Sequence, residues 1–328
     1  MQPIPFADIA AWCAAEGLTA LATIDPPERL DPAGLDLMLA DGVGDMVWLE
    51  KTRDIRLDPR ALEPAARSLV AVALPYQPEP RDDGLRRSRY VAGKDYHAIL
   101  REKLGRIGRR IATTRDPIWL TRACVDSAPI NERTLARLAG LGWIGRNALV
   151  IAPDAGSWRF LGMLLSEAPI EIRVGPHGED RCGRCDACER RCPTRALVGR
   201  RVLSERCISY LTIEHAGVVP RELAERFEGW WFGCDLCQEV CPWNRFAPPA
   251  GDVRLGGSER DADLLAVGAA DFDLRFAGRG VRRIGYERFR RNLLIALWSL
   301  GRRDECRPIL AEGLSLVVDQ ARELGLVP

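Results

Sequence analysis

No run of 18 apolar residues occurs in this chain, which excludes a membrane-spanning helix. The opening Met1-Gln-Pro-Ile-Pro-Phe-Ala-Asp8 lacks the basic start and apolar stretch of a secretory signal, so a cytoplasmic protein is expected. No G-x-G-x-x-G follows a strand-like run, so the common nicotinamide or flavin fingerprint is missing. An excess of either charge is missing too: 47 basic residues against 46 acidic leave a net +1. Lysine stands only at 51, 94 and 103. What is present suffices for a large interior. The chain has 328 residues, 47% of them hydrophobic, enough for two or three domains.

The positive charge is clustered. Between Gly84 and Arg110 nine basic residues face only Asp95 and Glu102, and between Arg275 and Arg303 nine arginines face Glu287 alone. A GC-rich coding sequence favours arginine but does not explain the clustering. Two basic stretches in a neutral chain fit a face that binds a polyanion.

Eight of the eleven cysteines fall between Cys182 and Cys241. The first run is Cys182-Gly-Arg-Cys185-Asp-Ala-Cys188-Glu-Arg-Arg-Cys192-Pro193. The second is Cys234-Asp-Leu-Cys237-Gln-Glu-Val-Cys241-Pro242, and Cys207 stands between them. In a reducing compartment such cysteines are better explained by metal than by disulfides. The first run has the bacterial ferredoxin spacing, in which the fourth cysteine serves the other cluster. On that logic Cys182, Cys185, Cys188 and Cys241 hold one [4Fe–4S] cluster. Cys192, Cys207, Cys234 and Cys237 hold the second. Zinc also uses C-x2-C pairs, but triplets suit a four-iron cluster better than a single tetrahedral ion. Cys13, Cys124 and Cys306 lie outside this spacing and read as buried thiols.

The pattern divides the chain into 1–177, an α/β domain, 178–246, a ferredoxin-like two-cluster domain, and 247–328, a helical region. Residues 5–20 read as a helix stopped at Gly17. Ser68–Tyr76, Trp119–Val125, Leu149–Ala152 and Phe160–Leu165 read as strands, and Asp95–Thr114 and Asn131–Ala139 as helices. Residues 78–88 read as a polar loop and 248–252 as a linker. Tyr286–Leu300 and Pro308–Leu324 read as two amphipathic helices, one pair of the kind found in helical (HEAT-like) repeats.

Five strings go further. They are Gly93-Lys-Asp-Tyr-His97, Val125-Asp-Ser-Ala-Pro129, Ala139-Gly-Leu-Gly-Trp-Ile-Gly-Arg-Asn147, Cys207-Ile-Ser-Tyr-Leu-Thr-Ile-Glu-His215 and Gly233-Cys-Asp-Leu-Cys-Gln-Glu-Val-Cys-Pro-Trp-Asn244. Together they resemble the epoxyqueuosine reductase family, from about Phe6 to Leu297. The resemblance implies cobalamin and two [4Fe–4S] clusters, and reduction of epoxyqueuosine to queuosine at the wobble position of tRNA, the last step of queuosine biosynthesis. It implies Asp126 as the proton donor, and Arg56, Ser88, Asp126, Val150, Leu161, Ser209 and Asp235 near the cobalamin. A small-molecule reductase of the reductive dehalogenase kind and a ferredoxin-type electron carrier are the alternatives.

The partners expected are a tRNA anticodon loop and an unidentified electron donor, with no membrane, the protein acting as a monomer. The departing oxygen needs a proton, and a carboxyl beside an apolar corrin could be held protonated by desolvation, which suits Asp126. Read alone, Asp126-Ser-Ala-Pro is also a good turn and helix start. Arg282, Arg283, Arg288, Arg290 and Arg291 are candidates for phosphate contacts, with Tyr286 and Phe289 interleaved for stacking. His97 and His215 read as caps or satisfied polar groups, and His177 as a solvated loop residue. Trp230, Trp231 and Trp243 read as shields around a cluster.

Overall fold

The computed structural model describes residues 2–76, 84–114, 118–257 and 261–328, so most of the expected polar loop, 77–83, lies outside the described residues. The buried run at 68–75 becomes the second strand of a four-stranded sheet. Its strands are β1 (Ala20–Ile24), β2 (Ser68–Pro75), β3 (Thr121–Cys124) and β4 (Arg159–Ser166), in the order β1-β2-β4-β3. All three pairings are antiparallel, with Ala22 opposite Ala71, Ala71 opposite Met163 and Cys124 opposite Met163. The sequence suggested an α/β domain without fixing the strand directions. A strand covered on both faces reads as a continuous apolar run whatever its direction, so the pattern could not decide.

Alternation along β2 builds two cores. Val70, Val72 and Leu74 point to one face, against Ile9 and Cys13 of helix α1 (Phe6–Ala15) and Leu100, Leu104 and Ile107 of helix α2 (Tyr96–Ala112). Leu69 and Ala71 point to the other, against Leu135 and Ala136 of helix α3 (Glu132–Leu138). Helix α2 starts where Asp95 accepts from the His97 backbone amide, and α3 where Asn131 accepts from that of Thr134. The expected strand at 149–152 is shorter. Val150–Ile151 pairs with Trp143–Ile144, away from the main sheet.

The cysteine block has two different halves. Residues 178–203 are open and mostly irregular, with one short helix (Ala187–Arg191) and a small hairpin, Leu197–Val198 with Arg201–Val202. The second half has an apolar core. Ile208, Leu211, Phe227, Trp231 and Phe232 share it with helix α4 (Gly285–Ser299). Trp231 meets Phe289 edge-to-face at 5.5 Å. The block is stitched to the first domain by a parallel pairing of Arg86–Arg87 with Trp230–Phe232.

The expected linker is docked. Gly251 donates to Pro75 O, and Asp252 pairs with Lys103 at 3.0 Å with both side chains under a tenth exposed. The last amphipathic stretch is two helices, α5 (Arg303–Leu310) and α6 (Ser315–Glu323). Gly313 between them takes φ +67, a left-handed turn that a continuous helix cannot contain.

Candidate active site

A cavity of about 1440 Å³ opens between the sheet domain and the cysteine block. Ordinary ligand pockets run to roughly 300–1,000 Å³, so this one suits a large cofactor or a cofactor with its substrate. Its walls mix apolar groups such as Leu35, Met46, Val91 and Ile208 with buried polar ones such as Ser88 and Asp235.

The two expected quartets differ in their relation to the cavity. Cys192, Cys207, Cys234 and Cys237 line this cavity, and Cys182, Cys185, Cys188 and Cys241 do not. Cys241 feels the charge of Cys182 and Cys185, and Cys237 that of Cys207, Cys192 and Cys188, so the two groups stand close to one another. Among the described residues, no three His, Cys, Asp or Glu side chains gather closely enough to hold one ion. A four-iron cluster needs a wider frame than zinc.

Burial raises the thiols of Cys207, Cys234 and Cys237, and raises Cys188 to about 11. Loading a cluster must therefore displace protons. Donors to sulfur are already in place. Trp143 Nε1 donates to Cys182 Sγ at 3.4 Å, and Ala196 N to Cys192 Sγ at 3.2 Å, contacts of the kind that set a cluster's potential. Trp243 packs edge-on against Trp143 beside the first quartet. Trp230 and Trp231 instead belong to the core that backs the second, where Cys207 and Cys234 rest on it.

Asp126 stands two residues beyond β3, at the cavity wall, with φ +43. A left-handed non-glycine residue is strained and needs surrounding contacts to hold it. His97 supplies one: its Nε2 lies 2.9 Å from Asp126 Oδ2, and its Nδ1 lies 2.6 Å from Asp95 Oδ1. Ser127 is held by Arg101 at 2.9 Å. Burial opposes charge on the imidazole, but the two carboxylates outweigh it and raise His97 to about 9. Crowding by neighbouring atoms would raise Asp126, although its side chain is 60% exposed, yet the hydrogen bond and charge of His97, with help from Arg283 and Tyr96, bring it below the usual carboxylate range. The expectation of a carboxyl kept protonated by desolvation is thus reversed. At neutral pH the pair is aspartate with imidazolium, and the proton rests on His97.

Of the other expected cofactor residues, Arg56, Ser88, Ser209 and Asp235 line the cavity, whereas Val150 and Leu161 are not among its lining residues. Arg56 Nε donates to Thr52 Oγ1 at 2.9 Å. Asp235 is buried, accepts from Arg89 N at 2.7 Å and is raised to about 6, chiefly by desolvation. Gly233 lets Ser88 in: a Cβ there would lie 2.2 Å from Ser88 Oγ.

The arginine candidates separate by burial. Arg282 and Arg283 are exposed, line the cavity mouth and pair with Asp273 and Glu214. Arg288 is half-buried and bonds the carbonyls of Ile284 and Ile213. Arg290 is buried against Glu312 and Leu265 O. Arg291 is fully buried and donates to the carbonyls of Leu211, His215 and Gly217. Arg290 and Arg291 therefore cannot serve as phosphate contacts. Phe289 is buried in the same core and unavailable for stacking. His215 bridges Asp45 and Val218 O, and His177 is half-buried in a bridge to Leu141 rather than solvated.

Residues 56–127 match the family model described as "Epoxyqueuosine reductase QueG, DUF1730", and residues 181–244 match a 4Fe-4S double cluster binding domain. An epoxyqueuosine reductase of Vibrio cholerae is 39% identical over 270 residues, covering 77% of this chain and 72% of the relative. That of Pseudomonas aeruginosa is 40% identical over 270 residues, covering 77% and 74%. A crystal structure of epoxyqueuosine reductase with an epoxyqueuosine-modified tRNA-Tyr stem loop superposes with a TM-score of 0.80 at 28% identity. It covers 94% of this chain and 84% of that one. These relatives do not favour the small-molecule reductase or the electron carrier.

Proposed function

The chain belongs to the epoxyqueuosine reductase family, oxidoreductases of tRNA, and we infer that the cavity beside the second cysteine quartet is where epoxyqueuosine in the tRNA wobble position becomes queuosine. One observation carries the reading: four cluster cysteines and the Asp126–His97 pair line the same cavity. Electrons and a proton are thereby delivered to one place.

The residues fit a corrinoid: a cavity larger than common pockets, apolar walls, and Arg56, Ser88, Ser209 and Asp235 to hold polar edges. Cobalamin held there would supply the reducing power of a low-valent cobalt, chemistry no side chain provides. The protein's own groups do the rest. Cys192, Cys207, Cys234 and Cys237 would hold a cluster at the cavity wall, and the other quartet, with Cys185 exposed, would hold one open to an outside electron donor. The proton for the departing oxygen comes from the Asp126–His97 pair. The target nucleotide must leave its stack to enter. Arg282 and Arg283 at the mouth are suited to the anticodon-loop phosphates.

The test is conversion. Anaerobically reconstituted protein, loaded with iron, sulfide and cobalamin and reduced chemically, is given tRNA carrying epoxyqueuosine. Nucleoside mass spectrometry should find queuosine. Fully loaded protein that leaves the epoxide intact would overturn the reading.

A further inference from the structure

Reducing an epoxide to an alkene breaks both C–O bonds and forms the C=C bond. It consumes two electrons and two protons and releases the oxygen as water. The Asp126–His97 pair stores one proton at neutral pH. Water leaving the site needs another.

Glu132, the first residue of α3, lines the same cavity. Its Oε1 is shielded from solvent and has no hydrogen-bond partner. Buried polar atoms are nearly always partnered, and a buried carboxylate without a counterion is costly. The charged and titratable groups around it come from every neighbouring element. Asp126 follows β3 and Cys124 ends it, Tyr96 begins α2, Arg56 lies in the helix Arg53–Leu57, and Arg133 is next along α3. The two cations are engaged elsewhere: Arg133 donates to Ala148 O at 2.7 Å and Arg56 to Thr52. The Asp126 backbone amide faces the Glu132 carboxyl, which places the two acids side by side. Burial, aided by the charge of Asp126, raises Glu132 to about 8. The group is then a neutral acid at pH 7, with one oxygen unused.

We propose that Glu132 is the second acid of this site, giving its carboxyl proton to the leaving oxygen so that it departs as water. Asp126 with His97 delivers the first proton, and the electrons come from the reduced cofactors. This rests on the reading of the cavity as the reductase site.

Wild-type conversion of epoxyqueuosine tRNA is measured first and decides that underlying reading separately. Glu132→Gln keeps the shape and removes the proton. It should retain iron content, corrinoid and tRNA affinity while slowing single turnover by roughly 10²–10⁴-fold. The alkaline fall of the wild-type profile near pH 8 should vanish with it. Glu132→Asp, with a shorter acid, should recover part of the rate. Infrared spectra of the protein without cofactor give a readout independent of activity. A carboxylic-acid C=O band present at neutral pH should disappear above about pH 8 and be missing in Glu132→Gln. A wild-type rate in Glu132→Gln, or no such band to lose, would overturn the proposal.

Discussion

Asp126 and His97, twenty-nine residues apart in sequence, meet at 2.9 Å on the cavity wall, and Asp95 braces the far side of the imidazole at 2.6 Å. The arrangement fixes the orientation of a residue held at a strained backbone angle. It also fixes where the proton sits, since each carboxylate favours the charged ring.

His97→Asn should therefore lose more than a contact. Without the imidazolium, crowding by neighbouring atoms pushes Asp126 upward again, and single turnover should fall roughly 10²-fold while tRNA affinity holds. Stability gives an independent check. His97 is raised from 6.5 to about 9 in the folded state, so its contribution is fully present below pH 6.5 and lost as pH rises through about 9. The difference between wild type and His97→Asn in denaturant unfolding should reach on the order of 3 kcal/mol in acid and close in alkali. A pH-independent difference would contradict the charged pair.

Arg291→Met tests the reassignment of that arginine. Its guanidinium satisfies the carbonyls of Leu211, His215 and Gly217 inside the core. Removing it orphans them and should cost about 3 kcal/mol or more, read as a fall in melting temperature. The protein that remains folded should bind tRNA normally.

Arg283→Ala should do the reverse. The residue is exposed, and its ion pair with Glu214 leaves little stability to lose. Affinity for the tRNA stem loop should drop, and the slope of log affinity against log salt should shrink by about 1. An unchanged slope would remove Arg283 from the phosphate contacts.

The two cysteine quartets should be separable. Cys188→Ser should halve bound iron and leave the cavity-side cluster spectroscopically intact. Cys237→Ser should also halve the iron, but abolish electron delivery to bound corrinoid however the outer cluster is reduced. If both variants transfer electrons equally well, the order of the two clusters is wrong.

How much of this could be seen in the sequence depends on distance along the chain. The double-cluster block was legible because ligand spacing is local and Cys-Pro punctuates it. Helix α2 was legible from the helical spacing of Ile99, Leu104, Ile107 and Ile111. Asp126 was not singled out by its own string, which reads equally well as a turn; only the family resemblance gave it a role. Its partnership with His97 depends on β3 and α2 packing side by side, and no periodicity reports that. Glu132 looked like the first turn of a helix, since nothing in Asn131-Glu-Arg-Thr discloses that the cavity wraps around it. Burial likewise removed Arg290 and Arg291 from the candidate interface, because a basic cluster reads the same whether its side chains reach solvent or internal carbonyls.

The shared core between α4 and the second half of the cysteine block ties two fates together. Three cysteines of the outer quartet sit on the open 178–203 chain, with Cys185 at the surface, whereas Cys207 and Cys234 of the inner one rest on the core of Trp231, Phe289 and their neighbours. Dioxygen or an iron chelator should strip the outer cluster first. A weathered sample would then keep its reaction chamber while losing its entry port for electrons. Loosening α4 would do the opposite, collapsing the chamber while the outer cluster survived.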